Sequence, residues 1–297
     1  MSIVLGANQY GKAEVRVVKV TRDDPRHEIE DLSVTSQLRG DFAAAHLTGD
    51  NRHVVPTDTQ KNTVFAFARD GIGSPEEFLL RLADHFTGSF EWVTGGRWTA
   101  ESYAWHRIHV DGDPHDHAFV RVGQETRTAV VVADGGERHV LGGLHGLTLL
   151  KTTGSGFEGY PKDRYTTLPE TRDRILATDV ATRWRYLPGA DVDYNAVYAD
   201  VKRILLEEFT RRYSAALQTT MFELGTAVLE AHDEIAEMRF SLPNKHHFAV
   251  DLAPFGLDNP NEVFYAADRP YGLIEAQITR EGIDPADAAW EGATAFC

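Results

Sequence analysis

The sequence predicts an α+β protein of two halves, each an antiparallel sheet with helices laid on one face. Three observations carry that reading. Period-two alternation of apolar and polar residues recurs in short segments, helical spacing replaces it in a few longer ones, and the order of strands and helices begins again near Val140.

Taken in order, Glu14 to Thr21 is a valine-rich strand, and Leu32, Val34, Ser36 and Leu38 then face opposite to Asp31, Ser33, Thr35 and Gln37. Successive side chains of a strand point to opposite faces, so this pattern buries one side only. Ser74-Pro75-Glu76-Glu77 is a capping box with proline at the first helical position, and Phe78, Leu79, Leu82 and Phe86 follow on one helical face. Strand patterns return at Ser89 to Val93, Tyr103 to Val110, Ala118 to Val120 and Ala129 to Val132.

The turn-rich run Ala133-Asp134-Gly135-Gly136-Glu137-Arg138 joins the halves, giving domains 1–136 and 137–297. In the second half, Leu144 to Thr153 and Ile175 to Tyr186 read as extended. Val197, Val201, Ile204, Leu205 and Phe209 then define a long amphipathic helix, continued by Met221, Leu224, Val228 and Leu229 in another. Met238, Phe240 and Leu242 alternate with Arg239 and Ser241, and Phe248 and Val250 resume that alternation. The polar run Asn244-Lys245-His246-His247 therefore falls at a break in a strand, on a rigid element that would project its side chains.

Composition narrows the function. The 297 residues are 42% apolar and 25% charged, an ordinary globular balance, and the formal net charge is −15. That charge argues against nucleic acid or an anionic membrane as the main partner, although one arginine or lysine can still dominate a pocket for a small anion. No run approaches the ~20 apolar residues that span a bilayer, and Met1 to Lys12 lacks the layout of a secretory signal. The single cysteine, Cys297, removes intrachain disulfides, thiolate metal cages and a buried cysteine nucleophile. The ending Ala295-Phe296-Cys297 is not the peroxisomal Ser-Lys-Leu address, so a cytoplasmic protein is expected.

Several motifs carry chemistry on paper. Gly154-Ser155-Gly156-Phe157-Glu158-Gly159 matches the dinucleotide fingerprint by letter, but Pro161, Thr166, Thr167 and Pro169 follow where a helix would have to begin, so it reads as a glycine-rich turn. His106, His109, His115 and His117 crowd Asp111, Asp113 and Asp116; a turn at Asp111-Gly112-Asp113-Pro114 accounts for them without a metal. Thr57-Asp58-Thr59-Gln60 precedes a helical pattern, and Thr57 or Asp58 is expected to cap its free amides at an end that also favours a bound anion. Lys12 becomes chemically interesting only if it is buried, since burial lowers an amine toward usable base strength.

Five pieces in order point further: Asn8-Gln9-Tyr10-Gly11-Lys12, Thr57-Asp58 with Lys61-Asn62-Thr63, Phe157 followed by Asp163-Arg164-Tyr165-Thr166-Thr167-Leu168-Pro169-Glu170-Thr171 and Arg174, Leu217-Gln218-Thr219-Thr220-Met221, and Pro243-Asn244-Lys245-His246. Together they resemble the urate oxidase (uricase) family over nearly the whole chain. The resemblance implies tandem tunnelling-fold domains, a homotetramer with a barrel-like tunnel, and active sites between neighbouring subunits. It also implies oxidation of urate by O2 and water to 5-hydroxyisourate and hydrogen peroxide, with no metal or organic cofactor. By position, Phe157 would stack on the purine, Arg174 and Gln218 would clamp its edge, and the backbone of Leu217 would add a contact. Asn244 would hold oxygen or water above the ring. Lys12 and Thr57 would form a proton-transferring dyad, with His246 extending the relay and Asp58 beside Thr57.

The residue types suit a flat, singly charged ring with polar edges: a guanidinium gives a planar fork, a glutamine amide one donor and one acceptor, an aromatic face stacking. No redox-active side-chain motif is present, so the substrate itself must give up the electrons. Two other readings stay open on the residues alone. One is a tunnelling-fold enzyme acting on a pterin or guanine-type ring. The other is a non-catalytic purine-binding tetramer in which Lys12 is a surface residue.

Overall fold

A computed structural model describes residues 2–293, so Cys297 and the ending to which it belongs lie outside the described residues. The chain forms two compact units. The first comprises the residues up to Gly143 with Arg185–Asn195 and Asp284–Gly292; the second comprises Leu144–Trp184 and Ala196–Ile283.

In the first unit, β1 (Tyr10–Thr21) pairs antiparallel with β2 (Glu28–Gly40), placing Val15 opposite Val34 and Val17 opposite Leu32. The alternation in β2 holds from Leu32 onward, with Leu32, Val34, Ser36 and Leu38 buried, while Asp31, expected on the outer face, is buried as well, paired with Arg16 and accepting from Trp105. Three helices follow, α1 (Ala43–Thr48), α2 (Thr57–Arg69) and α3 (Pro75–Ser89). The capping box at Ser74 is present in full: the Glu77 amide donates to the Ser74 hydroxyl, and the Ser74 amide donates to the Glu77 carboxylate. Next come β3 (Val93–Ser102), the two-stranded hairpin β4 (His106–Val110) and β5 (Asp113–Val120), then β6 (Thr126–Asp134) and the start of β7 (Glu137–Lys151). The strand order is β1-β2-β3-β6-β7, with α2 packed on β1 and α3 on β3 and β6. Phe78, Leu79, Leu82 and Phe86 of α3 are fully buried with Trp98 of β3. Withdrawing each such side chain from water is worth about 2 kcal/mol, which is what seats the helix on the sheet.

The second unit repeats the plan with the remainder of β7, then β8 (Leu176–Tyr186), α4 (Tyr194–Arg211), α5 (Leu217–Ala231), β9 (Ile235–Ala249) and β10 (Phe264–Thr279), in sheet order β7-β8-β9-β10. Helix α5 lies on β9 and β10. A Cβ at Gly225 would come within 2.9 Å of the Ile278 side chain, so the bare glycine is what lets α5 approach β10 this closely. A short α6 (Asp287–Trp290) returns to β6 of the first unit.

Three local expectations change. The segment from Ser89 is not a strand start: α3 runs to Ser89 and β3 begins only at Val93. Residues 103–105 are not strand either, since the hairpin strand opens at His106. The turn expected within Ala133 to Arg138 is present, formed by Gly135 and Gly136 between β6 and β7, with Gly135 in the left-handed region at φ 55°. The strand break expected around Asn244 is absent from β9, which runs unbroken to Ala249; the irregularity sits in its partner β10, between Ala267 and Gly272.

Candidate active site

In the second unit a cavity of about 330 Å³ is walled by Phe157, Leu168, Pro169 and Arg174 on one side and by His246, His247 and Phe248 of β9 on the other. The glycine-rich turn supplies the first wall. Gly154 and Gly159 both take positive φ, 73° and 75°, and no helix follows, as a turn requires and a dinucleotide site forbids. Between them the chain is pinned on both sides. The Gly156 amide donates to Ser214 O at 2.9 Å, and Phe157 and Thr171 exchange backbone hydrogen bonds at 2.7 and 3.1 Å. A Cβ on Gly156 would fall 2.1 Å from the Tyr213 hydroxyl oxygen, so only glycine fits.

Arg174 is held by the same turn. Its amide donates to Ser155 O at 2.9 Å and its Nε to Ser155 Oγ at 3.3 Å, so the two terminal amino groups take no part in this tether. The guanidinium lies 5.4 Å from the centroid of the Phe157 ring. Among the described residues no carboxylate pairs with it. Burial pulls its pKa below the ordinary arginine value, with the Tyr213 phenol opposing, yet a guanidinium stays cationic at neutral pH. The result is a partly desolvated cation waiting for an anion.

His246 faces this cation. Burial is the main reason its imidazole titrates below the ordinary histidine range, and the charges of Arg174 and His247 push the same way. It is therefore neutral at pH 7 and able to accept or donate one proton. Asn244 precedes it by two residues on β9, on the same face of the strand, opposite Gly272 of β10. Lys245, on the other face, turns to Asp179 of β8 at 3.4 Å. Leu217 and Gln218 open α5; Leu217 is buried and Gln218 exposed. None of Asn244, Leu217 and Gln218 lines the cavity itself.

The remaining candidates belong to the first unit. Lys12 lies on β1 opposite Ser36, partly buried, just before a bulge where Glu14 takes φ 56°. Thr57 is the first residue of α2. The expected cap does not form: Pro56 occupies the N-cap and no side chain receives the free amides. Asp58 turns instead to Lys61, with which it is ion-paired, and accepts from Asn62 at 2.9 Å. The Lys61 ammonium is the main reason its carboxyl sits below the usual range, and the charge of Lys12 contributes in the same direction. The amides at the start of α2 are thus left for another acceptor, as an anion site needs.

The crowded histidines are a hairpin, closed by Asp111 and Gly112, both at positive φ. His115 and His117 meet edge to face at 4.6 Å, and among the described residues no group of three His, Cys, Asp or Glu side chains converges as a metal site. Sequence reasoning missed Ser155 and Tyr213, which hold Arg174 and the turn, because neither carries a pattern of its own.

Comparison with known proteins bears on this arrangement. The uricase family model matches residues 8–132 and 140–275. The chain is 63% identical over 295 residues to the uricase of Arthrobacter globiformis, covering 99% of this chain and 96% of that one. It is 37% identical over 279 residues to the uricase of Oryctolagus cuniculus, covering 92% and 93%. The crystal structure of uricase from Arthrobacter globiformis superposes with a TM-score of 0.92 at 64% identity, over 96% of this chain and 97% of that one. A urate oxidase structure from Bacillus sp. TB-90 shares the fold at 21% identity, with a TM-score of 0.79 over 93% of this chain and 100% of that one. With matches across both units and at this level of identity, the chain belongs to the uricase family.

Proposed function

We propose that the protein oxidises urate with O2 and water to 5-hydroxyisourate and hydrogen peroxide, without metal or organic cofactor, as a cytoplasmic homotetramer of tandem tunnelling-fold domains, 1–136 and 137–297, enclosing a barrel-like tunnel. The observation that carries the reading is Arg174: a partly buried guanidinium with no carboxylate partner among the described residues, beside an aromatic face and a neutral imidazole. Leaving such a cation uncompensated is costly, and an anionic, flat, hydrogen-bonding ring relieves it.

In this reading Phe157 stacks on the purine and Arg174 donates two parallel hydrogen bonds to its edge. Gln218 supplies a donor and an acceptor, and the backbone of Leu217 adds a contact at the start of α5. Lys12 and Thr57, from a neighbouring subunit, take the proton that leaves the ring, with Asp58 beside them. His246 passes protons onward, and Asn244 holds O2 or water over the ring face. Urate surrenders two electrons to O2, two protons complete the peroxide, and water adds to the oxidised ring, so atoms and charge balance. Binding of the substrate anion needs no nucleic-acid or membrane surface, and no helix among the described residues is long and apolar enough to cross a membrane.

The test is urate loss measured together with O2 uptake and peroxide release on exhaustively chelated protein. One-for-one stoichiometry is expected. Activity abolished by chelation and restored by one added metal would refute the cofactor-free route, and urate binding without O2 uptake would identify a purine-binding protein instead.

A further inference from the structure

Tyr160 stacks on Phe157 with ring centroids 4.8 Å apart and planes within 15°, yet it does not itself line the cavity that Phe157 walls. It therefore meets the Phe157 ring from outside the space a ligand would fill. Its hydroxyl donates to Leu168 O at 2.5 Å, and Leu168 is another wall of the same cavity. One side chain thus ties two cavity walls together from behind.

The segment between Phe157 and Thr171 contains neither helix nor strand, so nothing periodic fixes the angle of the Phe157 ring. What fixes Tyr160 is a set of ties across the loop. The Gly159 amide donates to Glu170 Oε1 at 3.1 Å, Lys162 pairs with that same carboxylate at 3.3 Å, and the Lys162 ammonium lies 5.6 Å from the Tyr160 ring centroid. A stacking residue on an irregular loop loses affinity to rotamer freedom unless something holds it, and a nearly parallel ring at van der Waals separation restricts the tilt of its neighbour.

We propose that Tyr160 is a positioning residue that pre-sets the Phe157 ring for a flat purine and fixes the Leu168 rim beside it. The proposal rests on the reading that Phe157 stacks on substrate. Tyr160 touches no substrate, so its influence passes through Phe157, and that is the property to test.

The measurements are dissociation constants for xanthine, a flat purine lacking the third carbonyl, and KM and kcat for urate. They are made on the assembled protein and on Phe157→Ala, Tyr160→Ala, Tyr160→Phe and the Phe157→Ala/Tyr160→Ala double variant. Tyr160→Ala should weaken xanthine and raise KM about 3- to 10-fold, in line with the worth of an aromatic pair, while kcat stays within about twofold. Tyr160→Phe, which keeps the ring, should restore most of the affinity, and the double variant should bind no worse than Phe157→Ala. If Tyr160→Ala lowers the melting temperature too far, Tyr160→Leu, apolar but without a ring, replaces it with the same expected rise. Xanthine bound normally by Phe157→Ala would overturn the stacking role and this proposal with it. Weak binding by Phe157→Ala but normal binding by Tyr160→Ala, or a double variant weaker by the full product of the single effects, would overturn the positioning role alone.

Discussion

Ser36 Oγ donates to Gln60 Oε1 at 2.9 Å, with both side chains withdrawn from solvent. The bond joins the sheet to the first turn of α2: Ser36 lies opposite Lys12 in the β1–β2 ladder, and Gln60 is one helical turn beyond Thr57. It ties the strand residue that faces Lys12 to the helix that Thr57 opens. A buried hydrogen bond of this kind is specific as well as stabilising, because either partner alone would be stranded.

Ser36→Ala should cost about 1–3 kcal/mol in urea unfolding, the penalty for leaving the Gln60 carbonyl unsatisfied, and should lower urate turnover by shifting α2. Ser36→Ala combined with Gln60→Leu should regain most of the stability, because no polar atom is then stranded. A double variant as unstable as the sum of the two single variants would show that the bond is not what couples helix to sheet.

Gly156→Ala should disorder the wall that carries Phe157 and Arg174, because its Cβ would lie 2.1 Å from the Tyr213 hydroxyl oxygen and 2.9 Å from Thr171 O. Overpacking of this size costs about 1–3 kcal/mol, and KM for urate should rise at least about tenfold. Adding Tyr213→Phe removes the nearer clash and should recover part of both losses; the backbone oxygen of Thr171 keeps the rescue incomplete. Unchanged KM in Gly156→Ala would mean the turn does not position the site.

Much of this arrangement was legible in the residues, for physical reasons that differ from place to place. The face of β2 and the capping box of α3 follow local rules, alternation and reciprocal capping, and both appear as written. Strand β3 hides because Gly95 and Gly96 interrupt its alternation; a Cβ there would sit 2.3 Å from Ala133 O and 2.4 Å from Gln37 O, a constraint imposed by neighbouring strands and invisible in the segment itself. The cap at Thr57 fails because Pro56 occupies the N-cap and Asp58 finds a better partner in Lys61. At the site, residue types pointed to Arg174, Phe157 and His246, which do share a cavity, while Tyr160 and Ser155 act through neighbours and leave no signature of their own.

His246 gives a pH signature with a defined sign. Its folded-state pKa lies below the ordinary value of 6.5, chiefly through burial. The unfolded chain therefore binds the proton first, so the stability from keeping the imidazole neutral is full above pH ~6.5 and is lost as pH falls through the lower folded value. Urate oxidation should lose its relay in the same acid window. Arg174→Gln removes the second cause but not the first, so the His246 titration followed by NMR should move up only part of the way toward 6.5. A wild-type midpoint at or above 6.5 would contradict the cavity environment described for it.

Arg174→Ala and Lys12→Met should differ in kind. Removing the guanidinium deletes charge-assisted hydrogen bonds to the substrate, so xanthine should bind roughly 10- to 100-fold more weakly. Lys12→Met should bind xanthine nearly as wild type while kcat for urate falls by about 10²–10⁴, the usual worth of a positioned proton acceptor. If Lys12→Met lost affinity as severely as Arg174→Ala and kept its rate at saturation, the two roles would have to be exchanged.

The proposed sharing of each site by two subunits predicts complementation. Strand β1 ends the sheet of the first unit and β10 that of the second, and exposed apolar side chains lie on both, Val18 and Val20 on one, Tyr271 and Leu273 on the other. Unpaired, apolar edges are a liability that a second copy of the chain would cover, and the seam so formed is where a crevice would lie. Assayed at urate far below the raised KM of Arg174→Ala, Thr57→Ala and Arg174→Ala should each be close to inactive as homotetramers. In a mixture refolded together, a site that takes its Lys12 and Thr57 from an Arg174→Ala chain and its Phe157, Arg174 and Gln218 from a Thr57→Ala chain is wild type throughout. Random assembly makes about one quarter of the sites of this kind, and urate oxidation should return to about that fraction of the wild-type rate. Mixed tetramers isolated with two different affinity tags, proven by mass to contain both chains and still inactive, would place Thr57 and Arg174 in one chain's own site and end the shared-site reading.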